Sequence, residues 1–512
     1  MGIALRLPVP ATTMRPALAV AACTLIAACG GSTGNAVDSS TATAGAAAIP
    51  TPVHATGALL TQWPEFGLNP QREDATERAT RITGANVTHL HHLHLTLPGT
   101  VDSSPIYLHA ATVNSALHET VVVTTTYGRT LAIDATSGHT LWTFTPPGYA
   151  GWAGTAQITT ASPLADPDGR FVYAASPNGL IHKLSLATGA EDRAGAWPVS
   201  VTRDPTHEKL GAALNIDGPD VVVATSGYFG DAPPYQGHVA LIDRSSGRLQ
   251  RVFNTLCANR RGLLVPSSCQ ASDSAILSRG GPVVEPGGRR ILIDTGNGPW
   301  NGTTNFGDSV LELTFPSLTL RQAFTPTNQE QLSTSDTDLG SSAPVLLGGN
   351  RVMLAGKDGI MRVLELSRLN GRSVSSHAQL GGELQRLPLP GGGELFSAPA
   401  VWRHGGHTTM FVGDEHATAA YVLHRGQLHL AWRNDTPGTS PVMAGGLLYV
   451  YNPDAGGIDV YRPGSPHPIA ALPGLPGHWN SPIVVDGHVV EPEGDANSHN
   501  DTSGTLEIFS AG

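Results

Sequence analysis

One short phrase recurs along the chain and limits the folds that the chain can adopt. Seven clear copies carry a Pro next to an apolar run: SSPIYL (103), ASPLAD (161), GGPVVEP (280), SAPVLL (342), SAPAVW (397), TSPVMAG (439) and NSPIVVDG (480). A degenerate eighth copy, GAALNIDG, fills the gap at 211. The copies lie about 41 to 69 residues apart, and each leads into short apolar strands separated by turns. This spacing predicts an all-β fold, an eight-bladed β-propeller of four-stranded antiparallel blades packed around a ring.

The composition agrees with a turn-rich β protein. Among 512 residues there are 60 Gly and 39 Pro, while charged residues make up only 14%. The formal net charge of −11 argues against a nucleic-acid partner, which would need a basic stripe. The sequence has no C-x-x-C-H motif, so covalently bound c-type haem is excluded.

The two ends of the propeller are expected to meet in the last blade. The final unit ends at GTLEIFSAG after only three strands, while HLHHLHLTL, ahead of the first unit, has the pattern of a single strand. We predict that this N-terminal strand supplies the outer strand of blade 8. His92 and His94 would share one face of it, either as an exposed polar pair, which is the simpler interpretation, or as metal ligands.

The first 28 residues have the pattern of an export signal. Arg6 and Arg15 precede the apolar run ALAVAACTLIAAC, which ends at Cys29. The run resembles the lipobox of bacterial lipoproteins, which implies a lipid on Cys29; an ordinary signal peptide is the alternative. Residues 29–56 would form a flexible tether and residues 57–512 the propeller. We therefore expect a lipid-anchored protein of the cell envelope, facing the periplasm or another extracytoplasmic space, with the membrane as its first partner.

Two cysteines remain for the exported chain, Cys257 and Cys269. An oxidising compartment favours a bond between them. A zinc site would need two more ligands at close spacing, and the sequence offers none beside them. We predict a structural disulfide that closes this loop.

Chain direction determines which loops share a face of the ring. In an antiparallel blade, the loop that enters the inner strand and the loop between the second and third strands emerge on the same side. The stretch DTGNGPWNGTTNFGDS (294–309) is such a second-to-third loop of blade 4, STSDTDLGSSAP enters blade 5, and GKDG is a turn of blade 5. Asn297, Asp338 and Lys357 are thus predicted on one face, together with Asp231 from GYFGDAPPYQG of blade 3. Oxygen ligands of this kind suit Ca²⁺, although Asp, Asn and Gly are also common turn residues.

The phrase AIDATSGHTLW (132–142) and its weaker repeats resemble the repeat of the pyrroloquinoline-quinone (PQQ) type β-propellers, of the quinoprotein alcohol dehydrogenase-like superfamily. In quinoprotein alcohol dehydrogenases, a segment similar to TGNGPWN supplies an Asn ligand to Ca²⁺, which points to Asn297. The resemblance also implies Asp338 as the catalytic base and Lys357 as a cation in contact with the quinone. Asp338 and Asp231 are further candidate metal ligands, and PQQ and Ca²⁺ are the implied cofactors.

The family pattern is incomplete in this chain. The family's adjacent Cys pair is absent, blade 3's loop lacks the expected Glu ligand, and no Trp clearly matches the residue that stacks on the quinone. The same fold also serves lipoprotein scaffolds that assist outer-membrane protein assembly. We therefore predict a binding or scaffold protein whose partner is an envelope protein or a small polyol. The alternative is a PQQ- and Ca-dependent quinoprotein dehydrogenase that oxidises an alcohol or sugar.

Overall fold

Each clear copy of the recurring phrase leads into the innermost strand of a sheet, as in SSPIYL, where the strand begins at Ile106. The computed structural model describes residue 49, residues 58–228 and residues 232–512. In these residues, eight antiparallel sheets of four or five strands follow one another in chain order, a two-stranded ribbon lies between the second and third of them, and helices are short. The predicted eight-bladed β-propeller is confirmed.

The first half of the ring holds blades 1 to 4. Two strands precede it, β1 (Gln62–Trp63) and β2 (His91–Leu97). Blade 1 comprises β3 (Ile106–Val113), β4 (Ala116–Thr124), β5 (Thr130–Asp134) and β6 (Thr140–Phe144), and blade 2 comprises β7 (Leu164–Ala165), β8 (Phe171–Ser176), β9 (Leu180–Ser185) and β10 (Val199–Ser200). A separate ribbon pairs β11 (Glu208–Lys209) with β14 (Ser226–Gly227), and blade 3 comprises β12 (Asn215–Asp217), β13 (Asp220–Ala224), β15 (His238–Asp243) and β16 (Leu249–Asn254). Blade 4 comprises β17 (Val283–Val284), β18 (Arg290–Asp294), β19 (Val310–Thr314) and β20 (Thr319–Phe324).

The second half holds blades 5 to 8 and the two α-helices of the described chain. Blade 5 comprises β21 (Val345–Gly348), β22 (Arg351–Leu354), β23 (Ile360–Glu365) and β24 (Gln385–Pro388), and blade 6 comprises β25 (Ala400–His404), β26 (His407–Gly413), β27 (Thr418–His424) and β28 (Gln427–Asn434). Blade 7 comprises β29 (Thr439–Ala444), β30 (Leu447–Tyr451), β31 (Ile458–Tyr461) and β32 (Pro468–Leu472), and blade 8 joins β33 (Ile483–Val485), β34 (His488–Glu493) and β35 (Gly504–Ser510) to β2. The helices are α1 (Gln329–Thr334) and α2 (Ala496–His499), and four short 3₁₀ turns lie at Val87–His89, Tyr149–Gly151, Pro266–Ser268 and Leu339–Ser341.

The predicted closure of the ring is confirmed. Strand β2 pairs antiparallel with β35 over seven residues, from His91 opposite Ser510 to Leu97 opposite Gly504. His92 and His94 lie on either side of one carboxylate: His92 Nε2 is 2.6 Å from Glu507 Oε2, and His94 Nδ1 is 2.5 Å from Glu507 Oε1. Because each imidazole contacts a different oxygen, the pair helps to fasten the closing strand to its neighbour.

A segment that the repeat pattern did not predict crosses the ring near its axis. Residues 58–79, which we call the axial segment, place Trp63 in the core and pair β1 with the inner strand β3. Its carbonyl groups accept hydrogen bonds from blades 2, 4, 6, 7 and 8, at Ala165 N, Val284 N, Val401 N, Met443 N and Asp486 N. Ala165, Val284 and Asp486 lie at or just beyond the ends of their inner strands, away from the loops that enter those strands, while Val401 and Met443 lie within β25 and β29. The axial segment therefore covers the end of the ring opposite the predicted site.

Cys257 and Cys269 are joined by a disulfide, as predicted. Cys29 and Asp231 lie outside the described residues, so their predicted roles stay predictions. In the described part of the chain, no helix is long and apolar enough to cross a membrane.

Replacing both bonded cysteines, Cys257→Ser with Cys269→Ser, should lower the free energy of unfolding by about 3 kcal/mol, because an open loop of this length gives the unfolded chain more freedom. Urea denaturation followed by circular dichroism measures the change. The reduced wild type should match the double variant. Equal midpoints for the oxidised wild type and the variant would contradict this expectation.

Candidate functional site

A cavity of about 480 Å³ lies at the end of the ring opposite the axial segment. Its walls come from blades on all sides of the axis, so it is an axial cavity. The alternating strand direction predicted that the loops entering the inner strands and the loops between second and third strands lie on one face of the ring. Both kinds of loop reach this cavity. The residues that concern its chemistry are Lys209, Tyr228, Arg279, Asp336, Asp338, Lys357, Glu394, Phe396, Glu415, His478 and Trp479.

Asn297, Asp338 and Lys357 come together, as the sequence predicted. Asp338 Oδ2 lies 2.5 Å from Lys357 Nζ, and Asp338 Oδ1 accepts a hydrogen bond of 2.7 Å from the backbone N–H of Asn297. The Asn297 side chain donates to Asp336 Oδ1 at 3.2 Å. Burial alone would lower the pKa of Lys357, but the carboxylate of Asp338 outweighs it and raises that pKa above its usual value.

Two glycines make this approach of three loops sterically possible. A Cβ on Gly296 would collide with the carboxylate of Asp338, and a Cβ on Gly356 would collide with the Asp338 carbonyl oxygen. The backbone of the loop from residue 294 to 309 can therefore lie directly against the loop that carries Asp338.

Arg279 and Lys209 also line the cavity, and neither was predicted from the sequence. Arg279 donates to the carbonyl oxygen of Asp102 at 2.7 Å and to its Oδ2 at 2.9 Å. His478 Nδ1 lies 2.7 Å from the same Oδ2. Burial would raise the pKa of Asp102, but Arg279 and His478 together hold it well below its usual value. Arg279 could have been found, since SRGGP places it in the entry loop of blade 4.

Lys209 is the least compensated of the cavity's cations. Its Nζ has one hydrogen-bond partner in the described residues, Asn497 Oδ1 at 3.4 Å. Burial and the nearby Arg279 lower the pKa of Lys209 to about 7, while Asp102 acts weakly in the opposite direction. Glu208, its neighbour in β11, turns away and accepts a hydrogen bond from the hydroxyl of Thr202. Among the described residues near blade 3, the cavity therefore receives the amine of Lys209 and no carboxylate.

An aromatic wall completes the cavity. The rings of Phe396 and Trp479 are stacked with centroids 3.9 Å apart, and the His478 ring lies 3.8 Å from Trp479. The guanidinium of Arg279 lies over the Trp479 ring at 5.2 Å. A flat apolar surface beside cations suits the body of an organic anion.

The described residues do not fit a calcium ion. Calcium in proteins takes about six to eight oxygen ligands, whereas Asp338 is already engaged by Lys357. No group of three His, Cys, Asp or Glu ligand atoms converges around Asn297 and Asp338 in the described chain. Asp231, the further predicted ligand, lies outside the described residues.

A buried Ser–His–Glu arrangement elsewhere has the order of a hydrolytic triad. His182 Nε2 lies 2.7 Å from Ser176 Oγ, and His182 Nδ1 lies 2.5 Å from Glu191 Oε1. Ser176 is 0% exposed, so no substrate can reach its hydroxyl. These residues connect the strands of blade 2.

Comparison with known proteins supports the fold and its repeat type. Residues 94–262 match the family described as outer membrane protein assembly factor BamB. The structure is similar to a quinohemoprotein alcohol dehydrogenase from Comamonas testosteroni (TM-score 0.62, 14% identity, 88% of this chain and 80% of that chain). A europium-containing methanol dehydrogenase is similar as well, with a TM-score of 0.62 and 15% identity, and the match covers 88% of this chain and 98% of that chain.

BamB from Moraxella catarrhalis is also similar in structure, with a TM-score of 0.50 and 13% identity, and the match covers 82% of this chain and 100% of that chain. No curated protein matches the sequence. At these identities the structural likeness establishes the fold and leaves the activity to be argued from the residues.

Lys357→Met should lower the free energy of unfolding by about 2 to 4 kcal/mol, because it leaves the Asp338 carboxylate buried without its cation. The double variant Asp338→Asn with Lys357→Met should recover most of that loss. Urea denaturation measures both. As a control, Arg368→Met breaks an exposed pair with Glu365 and should cost less than about 1 kcal/mol. A Lys357→Met effect no larger than this control would show that the pair contributes nothing.

Proposed function

We propose that this chain, an eight-bladed β-propeller whose fold resembles that of PQQ-type propellers, is an exported, lipid-anchored binding protein of the cell envelope. Its axial cavity binds a small organic anion. The observation that carries the proposal is the buried ammonium of Lys209, which faces this cavity without a carboxylate partner in the described residues.

The charges of the cavity support this ligand class. Arg279 is paired with Asp102, and Lys357 is paired with Asp338. Lys209 has no such pair in the described residues, so its protonated amine places a positive charge beside Arg279 on one side of the cavity, whereas the carboxylates of Asp336, Glu394 and Glu415 also line the cavity. A carboxylate of a ligand would supply the missing counter-charge and a charge-assisted hydrogen bond. A cavity of about 480 Å³ is of the size that takes small organic molecules.

A PQQ- and Ca-dependent dehydrogenase is the second candidate. In its favour, Asn297, Asp338 and Lys357 converge as the resemblance implies, and the three cations of the cavity suit a quinone that carries carboxylate groups. Against it, the described ligands do not fit Ca²⁺. A carboxylate that is to accept a proton must also be free to do so, and Asp338 is held by Lys357 at 2.5 Å.

Without calcium, the protein should bind PQQ or a simple tricarboxylate such as citrate, and Lys209→Met should weaken that binding roughly 10- to 100-fold. Isothermal titration calorimetry measures the affinity. Binding to the wild type should weaken as the pH rises through about 7, where the amine of Lys209 loses its proton. Above this pH the amine must first take up a proton before it can pair with the anion, and this step costs binding free energy. The pH dependence should be smaller in the variant. Lys183→Met, which removes a lysine paired with Asp192 in blade 2, is the matched control.

Two results would count against the binding proposal. If none of these anions binds, or if Lys209→Met binds them as tightly as the wild type, the cavity is not an anion site. Dye-linked oxidation of alcohols or sugars that requires Ca²⁺ and PQQ, and is lost in Asp338→Asn, would establish the dehydrogenase in its place.

The lipid anchor can be tested separately from the cavity. Labelled palmitate should be incorporated into the wild type and not into Cys29→Ala, because only the sulfur of Cys29 follows the lipobox-like run. Cys23→Ala is the control, since that residue lies within the predicted signal. Equal labelling of the wild type and Cys29→Ala would refute the anchor.

A further inference from the structure

Four polar side chains converge at the seam between blade 8 and blade 1. We call Tyr107, His109, Glu119 and Asp486 the seam cluster. His109 Nδ1 lies 2.5 Å from Asp486 Oδ2 and 3.0 Å from Glu119 Oε2. The hydroxyl of Tyr107 lies 3.1 Å from Asp486 Oδ2 and also contacts Glu119 Oε2. One imidazole nitrogen and one hydroxyl thus each reach the same two carboxylate oxygens.

The local backbone brings these groups together. Tyr107 and His109 are two residues apart in β3, and a bulge follows, with Ala110 in a left-handed conformation (φ 48°). A bulge of this kind turns side chains toward the neighbouring strand, where β4 carries Glu119. Asp486 lies in the tight turn between β33 and β34, also with positive φ (50°). This turn is on the face of the ring opposite the axial cavity.

Hydrogen bonding alone does not account for the four contacts. His109 Nδ1 carries at most one proton, and the hydroxyl of Tyr107 carries one. The two donors therefore have two hydrogens for four contacts. The carboxylate oxygens of Glu119 and Asp486 compete for these hydrogens. The two carboxylates also repel each other at this separation. A positive ion placed between the nitrogen and the two oxygens would convert the competing contacts into bonds.

We propose that the seam cluster is a binding site for a divalent transition-metal ion. His109 Nδ1 and one oxygen each from Glu119 and Asp486 are the protein ligands. The nitrogen ligand favours zinc or a similar metal over calcium and magnesium. With bonds of about 2.0–2.1 Å, ligand atoms around a tetrahedral ion lie roughly 3.3 Å apart. The two distances from His109 Nδ1, 2.5 Å to Asp486 Oδ2 and 3.0 Å to Glu119 Oε2, are shorter than this, so an ion would require the ligands to move apart by less than about 1 Å.

The surroundings of the cluster agree with this role. The side chains of His109 and Glu119 are 38% and 28% exposed, which gives an ion a way in and leaves room for a water ligand. The other oxygen of Asp486 is 3.3 Å from the guanidinium of Arg81, so Oδ2 is the one available to a metal. The hydroxyl of Tyr107 then orients both carboxylates from outside the ligand set. A metal here would tie blade 8 to blade 1, where the ring closes.

Zinc binding by the full-length protein tests the proposal. After treatment with EDTA and dialysis, titration calorimetry with Zn²⁺ should show one ion per chain, and the melting temperature should rise by several degrees because only the folded state holds the site. Glu119→Gln and His109→Ala should each weaken binding at least tenfold. Co²⁺ should give a visible absorption band with the wild type that both variants lose.

Two control variants locate the ion. His118→Ala removes an imidazole on the same hairpin, which pairs with Asp134 at 2.7 Å, and it should bind zinc as the wild type does. The double variant His92→Ala with His94→Ala should also bind it normally. Glu119 is partly exposed, so Glu119→Gln is expected to fold, and circular dichroism checks this. Wild-type zinc affinity in folded Glu119→Gln, or no binding by the wild type, would overturn the proposal.

Discussion

Arg72 connects the axial segment to the ring. Its buried guanidinium donates to Glu65 Oε2 at 3.0 Å and to the carbonyl oxygens of Phe66, Leu214 and Gly280 at 2.7, 2.8 and 2.9 Å. The last two acceptors belong to the entry loops or inner strands of blades 3 and 4. Burial raises the pKa of Glu65 to about 7, although Arg72 opposes this. Loss of one partner of such a pair is costly, because the other charge then stays buried.

This arrangement gives the ring two unlike ends. At one end, the carbonyl groups of the axial segment satisfy backbone donors of the inner strands. At the other end, the entry loops and second-to-third loops are free to carry chemistry, and the axial cavity lies among them. A rigid ring with variable loops allows one residue to change the ligand without changing the fold.

The sequence predicted the features that depend on local periodicity or on chain direction. The recurring phrase gave the number of blades, and the three-stranded last unit gave the closure by β2. The alternating strand direction correctly predicted that Asn297, Asp338 and Lys357 lie together. It did not predict Lys209 in the cavity, because β11 forms only by pairing with β14, and a two-residue strand has no detectable sequence pattern. The axial segment was missed for a related reason: its partners are backbone groups of distant blades, which no residue pattern encodes.

Charge distinguishes this cavity more clearly than shape does. A protein of similar fold is described as a europium-containing methanol dehydrogenase, and a hard metal cation needs oxygen ligands around it. Here Lys357 already neutralises Asp338, and Lys209 adds a further positive charge in the same cavity. A metal ion and a protonated Lys209 would repel each other in a space of low dielectric. A metal ion close to Lys209 would therefore meet repulsion from the protonated amine, whereas the anion proposed above would be attracted to it.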